Sequence, residues 1–338
     1  MKKILISAVS LMFVSLSISA QNSGSTQDSF KPSGKPIVTV FSDFTHTSTN
    51  GNTNNAFELS RAYFGYGYNF SPDFSGKVVF DIANTSGLTP SAFTAFLKNA
   101  YAEYSHGIVK ANLGLVGTTM FSLQESVWGK RYLYKSFQDQ YGFGNSADLG
   151  ATVKLQFAPE VSLDLAMFNG EGYKKVQADS TMQFAAGLTV QPVKNLYIRA
   201  YYESMDKQSY LPSATKVAQT SFNLFVGYKS DKGTLAAEYN SQNGNKNTKD
   251  HNWSGVSVYG TLPVAKQFTA IARYDNLTSK KIGTATTGWN TGTDGQVYIA
   301  GIEYAPVKGI QITPNIRYSD LKTGNSTTSL NVNVGMSF

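Results

Sequence analysis

Apolar and polar positions alternate along most of this chain. From 148 to 157, Leu149, Ala151, Val153, Leu155 and Phe157 share one parity, and Asp148, Gly150, Thr152, Lys154 and Gln156 the other. From 221 to 229, Phe222, Leu224, Val226 and Tyr228 stand opposite Ser221, Asn223, Phe225 and Lys229. The last segment sets Leu330, Val332, Val334, Met336 and Phe338 against Asn331, Asn333, Gly335 and Ser337. Successive Cβ atoms of a strand point to opposite sides, so this period predicts strands with one apolar and one polar face.

Read this way, strands fall near 36–46, 57–70, 74–84, 96–104, 108–117, 147–157, 161–169, 181–190 and 195–205. The series continues near 219–229, 233–242, 253–262, 267–276, 296–305, 309–319 and 329–338, giving sixteen. The first two carry apolar residues on both faces. The connections alternate between short and long. The short ones are 71–73, 105–107, 158–160, 191–195, 230–233, 263–267 and 306–309, three of them built on Pro192-Val193, Pro263-Val264 and Pro306-Val307 beside a lysine. Proline presets φ for a turn and cannot donate to a following ladder. The long ones are 47–56, 85–95, 118–147, 170–180, 206–218, 243–252, 277–295 and 320–328. An even number of strands with alternately short and long connections predicts an all-β fold, a transmembrane antiparallel β-barrel of 16 strands at 36–338. With the N-terminus periplasmic, the long set is extracellular and 118–147 is the third loop, expected to fold into the lumen.

A soluble sandwich or propeller would need a dry core. The polar parity here carries Lys154, Asp164, Gln183, Arg199, Asn223, Glu238, Arg273, Asn315 and Arg317, which a wet lumen holds at far lower cost. Tyr202, Tyr228, Tyr239, Tyr259, Phe268, Tyr304, Tyr318 and Phe338, near strand ends, predict interfacial girdles. Phe338, ending an alternating strand, also looks like the signature that outer-membrane barrels present to the barrel assembly machinery.

Composition sharpens this picture. Tyr 20, Phe 21 and Gly 30 are high, and beyond the N-terminus no apolar run is long enough for a spanning helix. A chain that crosses lipid without helices must close into a barrel, because lipid leaves no water for open sheet edges. Lys2 and Lys3, the mostly apolar run Ile4 to Ile18, and Ile18-Ser19-Ala20 before Gln21 predict a signal peptide at 1–20. Residues 21–35, rich in Ser, Gln, Gly and Pro, read as a flexible periplasmic leader. Without 1–20 the chain carries 27 basic and 22 acidic side chains, with no basic cluster suited to nucleic acid. There are no cysteines.

The third loop contains Ser122-Leu123-Gln124-Glu125, a capping box that predicts a short helix there. Arg199, Arg273 and Arg317 sit on alternate strands, on the polar face of each. Facing water they would favour anions; paired with Asp164, Glu203, Glu238 or Asp275 they would brace the wall. Asp139 and Asp148 bound the loop and are expected to anchor it by pairing with lumen arginines. His46, His106 and His251 have no metal-ligand spacing, and the chain has neither a nucleophile elbow nor a phosphate-binding loop, so no catalytic, metal or cofactor site is expected.

Glu125, Trp128-Gly129, Arg131-Tyr132, Lys135-Ser136-Phe137, Asp139 and Ser146 to Gly150 are similar to the third-loop region of the phosphate-selective porin O and P family. Arg61-Ala62-Tyr63 and Tyr298 to Tyr304 extend the resemblance over most of the chain beyond the signal peptide. It implies a sixteen-stranded, usually trimeric porin with basic residues at its constriction: Lys130, Arg131 and Lys135 on the loop, and Arg199, Arg273 and Arg317 on the wall. The expected function is passive diffusion of small hydrophilic solutes across the outer membrane, leaning mildly towards phosphate or other small anions. The alternative is a non-conducting surface barrel that binds a ligand or partner through its loops.

Overall fold

A computed structural model describes residues 30–84, 93–209 and 216–338. The signal peptide at 1–20, most of the leader, and 85–92 of the second long connection lie outside the described residues.

Sixteen strands follow one another, and each pairs antiparallel with its chain neighbours. They are β1 (Ser33–Thr49), β2 (Asn52–Asn69), β3 (Phe74–Asn84), β4 (Phe93–His106), β5 (Val109–Gly117), β6 (Ala147–Ala158), β7 (Val161–Phe168) and β8 (Gln183–Val193). Next come β9 (Leu196–Met205), β10 (Gln219–Ser230), β11 (Gly233–Asn243), β12 (Trp253–Ala265), β13 (Phe268–Ser279), β14 (Gly295–Tyr304), β15 (Ile310–Leu321) and β16 (Ser326–Ser337). β1 pairs with β16 from Thr39 opposite Ser337 to Thr49 opposite Thr327, which closes the barrel. Two helices, α1 (Ser122–Trp128) and α2 (Phe137–Tyr141), lie between β5 and β6.

The alternation reads inside-out relative to a soluble protein. On β10, Phe222, Leu224, Val226 and Tyr228 are 40–45% exposed, whereas Ser221, Asn223 and Phe225 are at most 3% exposed. The same division runs round the wall, with Asp164, Arg199, Glu238, Arg273 and Asn315 buried and Leu188, Ile198, Tyr239, Val258 and Ile316 exposed. Such a continuous apolar exterior is unstable in water and stable in lipid.

Three expectations need correction. β1 begins at Ser33, so the last residues assigned to the leader belong to the barrel. The first connection is not a long loop: Thr49 pairs with Asn52, and Asn50-Gly51 turns the chain with φ of 49° and 85°. Asn-Gly takes these left-handed values at little cost, and their twist matches the flanking strands. Tyr259 belongs to no girdle. Next to the outward Val258, and on the same parity as the buried Ser257, it faces inward, 2% exposed, with its ring 4.9 Å from Trp128. The mixed faces of the first two strands also have a cause, since Phe41 and Tyr63 meet edge-on at 6.3 Å and Phe41 lies 6.4 Å from the Tyr132 ring.

Candidate functional site

The segment from Thr118 to Ser146 is built on two short helices. α1 starts at the predicted Ser122, but no capping box forms, because the Glu125 carboxylate is taken by Arg131, whose Nε donates to Oε2 at 2.9 Å. Gly129 ends α1 at φ 62°, its N–H donating to the Glu125 carbonyl at 2.9 Å. The Trp128 indole N–H then donates to the Tyr134 carbonyl at 2.7 Å, folding 129–134 back on the helix. Phe137, the first residue of α2, and Phe143, just beyond its end, are buried with Trp253, whose ring stacks on Phe143 at 4.7 Å.

This segment is hydrogen-bonded to the inward side chains of β9 to β16. Arg199, Arg273 and Arg317 each donate to one of its carbonyls, those of Thr119, Lys135 and Leu133, all at 2.8 Å. Arg199 is also held bidentately by Asp164 at 2.5 and 2.9 Å, and Arg273 by Asp275 at 2.8 Å twice. Arg317 donates to Asn333 and Asn315. Ring faces add to the grip, with the Arg273 guanidinium 5.1 Å from both Trp128 and Tyr134. Lys130 bonds both oxygens of Glu303 at 2.7 Å, and the Tyr132 hydroxyl donates to Glu303 at 2.6 Å. Gln138 donates to Glu238 and Asn240. Charged donors in a bidentate geometry are the strongest available for such a task.

The two bounding acids behave differently. Asp139 binds Arg131 of the segment itself at 2.5 Å. Asp148 accepts the backbone N–H groups of Leu149 at 2.7 Å and Gly170 at 2.8 Å, so it ties β6 to the connection after β7 rather than to an arginine. Its position at the strand start places it beside free backbone donors.

Towards β1 to β4 the segment presents Arg131 and Lys135. The Tyr63 hydroxyl accepts from Arg61 and Arg131 at 2.9 Å and from Lys98 at 3.2 Å, gathering three cations on one oxygen. Arg61 is also 3.3 Å from Asp81. Burial pushes the Lys135 ammonium down; Asp139 opposes this, but Arg61 and Arg131 add to it, and the group ends below its ordinary value. Burial pushes the Asp139 carboxyl up, yet Arg131, Lys135, Arg61 and Lys98 together hold it below the usual carboxylate range. Further along the wall, Lys77 lies within electrostatic reach of Lys98, Lys35 and Lys110. Glu103, 2.8 Å from Lys110, is the acid among them. A cavity of about 420 Å³ between β1, β2, β16 and the segment is lined by Asp43, Glu58, Arg61, Arg131, Lys135 and Arg317 among others. A second, of about 520 Å³, lies against β4 to β9 and includes Glu103, Lys110, Lys154 and Arg199.

Sequence reading named Arg131 and Lys135 but passed over Arg61, Tyr63, Lys77 and Lys98 as site residues. Arg61 and Tyr63 share the inward parity of β2 and were visible. Lys98 was not. It is the extra residue where the register slips from Val79–Asn99 to Phe80–Leu97, and simple alternation puts it on the wrong side.

A closed sixteen-stranded barrel, apolar outside and charged inside, is the architecture of an outer-membrane porin. Residues 141–338 match the model of the beta-barrel porin-2, OmpL-like family, and the chain belongs to that family. It is thus a bacterial outer-membrane porin, a channel fold rather than an enzyme, as the resemblance to a porin family implied at this coarser level. Among solved structures, OmpF of Salmonella typhi in complex with daunomycin superposes with a TM-score of 0.69 at 11% identity, over 90% of this chain and 97% of that one. OprB of Pseudomonas putida gives 0.66 at 10% identity, over 90% and 94%. The anion-selective porin from Comamonas acidovorans gives 0.65 at 10% identity, over 91% and 100%. At these identities the likeness is one of fold. No curated protein matches the chain.

Proposed function

We propose that this porin is a passive diffusion channel for small hydrophilic solutes, leaning mildly towards anions, with phosphate among the small anions it passes. In this reading the segment 118–146 lies across the lumen and sets its narrowest part. The observation that carries it is the division of labour among the cations. Arg199, Arg273, Arg317 and Lys130 are tied to loop carbonyls or to acids and hold the segment. Arg131, Lys135, Arg61 and Lys98 converge around Tyr63 and Asp139 on the side towards β1 to β4. Cations gathered at a narrow aqueous passage raise the local potential and favour anions. Export by the signal peptide at 1–20, insertion by the barrel assembly machinery through Phe338, and assembly into a homotrimer complete the reading. Phe338 suits that role, being 81% exposed and bonded through its backbone to Val38.

The test is planar-bilayer recording in a potassium chloride gradient. The reversal potential should report anion preference and move towards cation preference in an Arg61→Gln/Lys98→Gln variant. Cation selectivity of the unaltered protein would overturn the anion reading. Liposomes that fail to swell in arabinose would overturn the channel and favour the non-conducting surface barrel.

A further inference from the structure

The cavity on the β1–β2 side of the segment 118–146 carries, beside cations of the channel reading, two carboxylates which that reading leaves unused. Asp43 and Glu58 are direct cross-strand partners on β1 and β2, both lining this cavity. Like charges directly opposite each other destabilise a sheet. Neither carboxylate is within salt-bridge distance of a base among the described residues. Asp43 accepts the Thr45 hydroxyl at 3.2 Å and feels Arg317 through space, while Arg317 itself is bonded to Asn333, Asn315 and the Leu133 carbonyl.

The same cavity has Lys135 on the loop segment that borders it. Arg61 and Arg131, which also line it, are paired with Asp81, Asp139 and Glu125, whereas Lys135 forms no salt bridge among the described residues. Two carboxylates on the barrel wall and one uncommitted ammonium on the loop thus stand on different elements round one space of about 420 Å³. That lies within the usual range for a small-molecule pocket, about 300–1,000 Å³. Beside the apolar Phe41, Ala56 and Leu133, the lining includes hydroxyls and amides, Thr45, Ser60, Ser329, Asn331 and Asn333, which suit a peptide backbone.

We propose that this cavity binds a short zwitterionic peptide, its ammonium between Asp43 and Glu58 and its carboxylate on Lys135. The ammonium relieves the repulsion between the two wall carboxylates. A lone cation would leave Lys135 unmet, and a lone anion would leave the acidic pair unmet. A short peptide carries both charges on one chain, with a backbone between them to meet the hydroxyls and amides of the lining. The inference deepens the diffusion-channel reading by naming a solute class, and it rests on that reading for its biological use.

Titration calorimetry on the folded protein in detergent, with triglycine, N-acetyl-triglycine and triglycinamide, tests binding whether or not the barrel conducts. Triglycine should bind best. Lys135→Gln should weaken triglycine and the acetylated anion about two- to fivefold and spare the amide, while Asp43→Asn/Glu58→Gln should weaken triglycine and the amide and spare the anion. Retained heat-modifiable mobility on gels certifies that each variant is folded. Triglycine binding no better than the amide, or binding unmoved by Lys135→Gln, overturns the inference. Binding without conductance supports it and removes the channel reading instead.

Discussion

Arg273→Ala would take away one half of the most deeply buried ion pair among the described residues. The Arg273 and Asp275 side chains are 1% and 0% exposed, joined by two bonds of 2.8 Å. Removing one partner of such a pair costs about 3–5 kcal/mol, chiefly because the other charge is left buried without compensation. The variant also loses the bond to the Lys135 carbonyl and the contact with the faces of Trp128 and Tyr134. Those losses amount to about 1–3 kcal/mol and do not add simply to the first. Arg273→Ala/Asp275→Ala suffers only the second set. It should therefore be less stable than the wild type, yet more stable than the single variant, by about 2 kcal/mol. Urea unfolding of the reconstituted barrel, followed by the gel shift between folded and unfolded forms, gives both differences. A single variant that loses less than about 1 kcal/mol, or a double variant no better than the single, would refute the claim that burial makes this pair expensive to break.

Other expectations follow from particular contacts. A Cβ on Gly187 would run into Arg199 Nη2 and stand 2.6 Å from Asp164 Oδ2, so Gly187→Ala should destabilise the barrel by about 1–3 kcal/mol in the same unfolding assay; unchanged stability would mean Arg199 is free to move. Gly51 has φ 85° with open space round its absent Cβ, so Gly51→Val should cost about 1–3 kcal/mol from backbone strain alone and Gly51→Asn much less. Asp139 has its folded pKa depressed, so the stability it lends is fully present above the unfolded carboxylate value of about 3.9 and is lost as pH falls through the lower folded one. Open-channel noise should therefore separate wild type from Asp139→Asn at every pH above the ordinary carboxylate value of about 3.9 and converge only below it, while a difference that vanished between pH 7 and about pH 4 would contradict the sign of the shift.

Most of the barrel could be read from alternation because a lipid-facing wall enforces it: every strand must put apolar residues out and polar residues in. The sixteen strands stand within a few residues of their expected places. The errors occur where another rule competes. Asn50-Gly51 is a short hairpin signal, yet the surrounding Asn and Thr make 47–56 look like a loop. Tyr259 resembled a girdle residue until the parity of Val256 and Val258 set its direction. The capping box was present in letters but absent in space, because Arg131, six residues on from Glu125, offered its carboxylate a charged donor.

The site was less legible for a different reason. Sequence gives the sign of a side chain and the face it occupies, but not whether its charge is already committed. Arg199, Arg273 and Arg317 were picked because they are basic and inward, and both facts hold. What alternation cannot show is the demand made by the segment between β5 and β6. α1, α2 and the turn at Lys130 satisfy their own backbone there, but the carbonyls of Leu133 and Lys135, like that of Thr119 ahead of α1, are met by outside donors. A buried carbonyl without a donor is costly, and an ionised guanidinium is the strongest donor a strand can extend to it. Each wall arginine therefore serves the segment first. Replacing Arg273 by lysine would keep the charge yet lose the planar fork that reaches Asp275 and the Lys135 carbonyl at once. In the diffusion-channel proposal, charge at the passage is left to the residues the segment does not use, Lys135 above all, and there a lysine suffices because a solute in water asks for potential rather than fixed geometry.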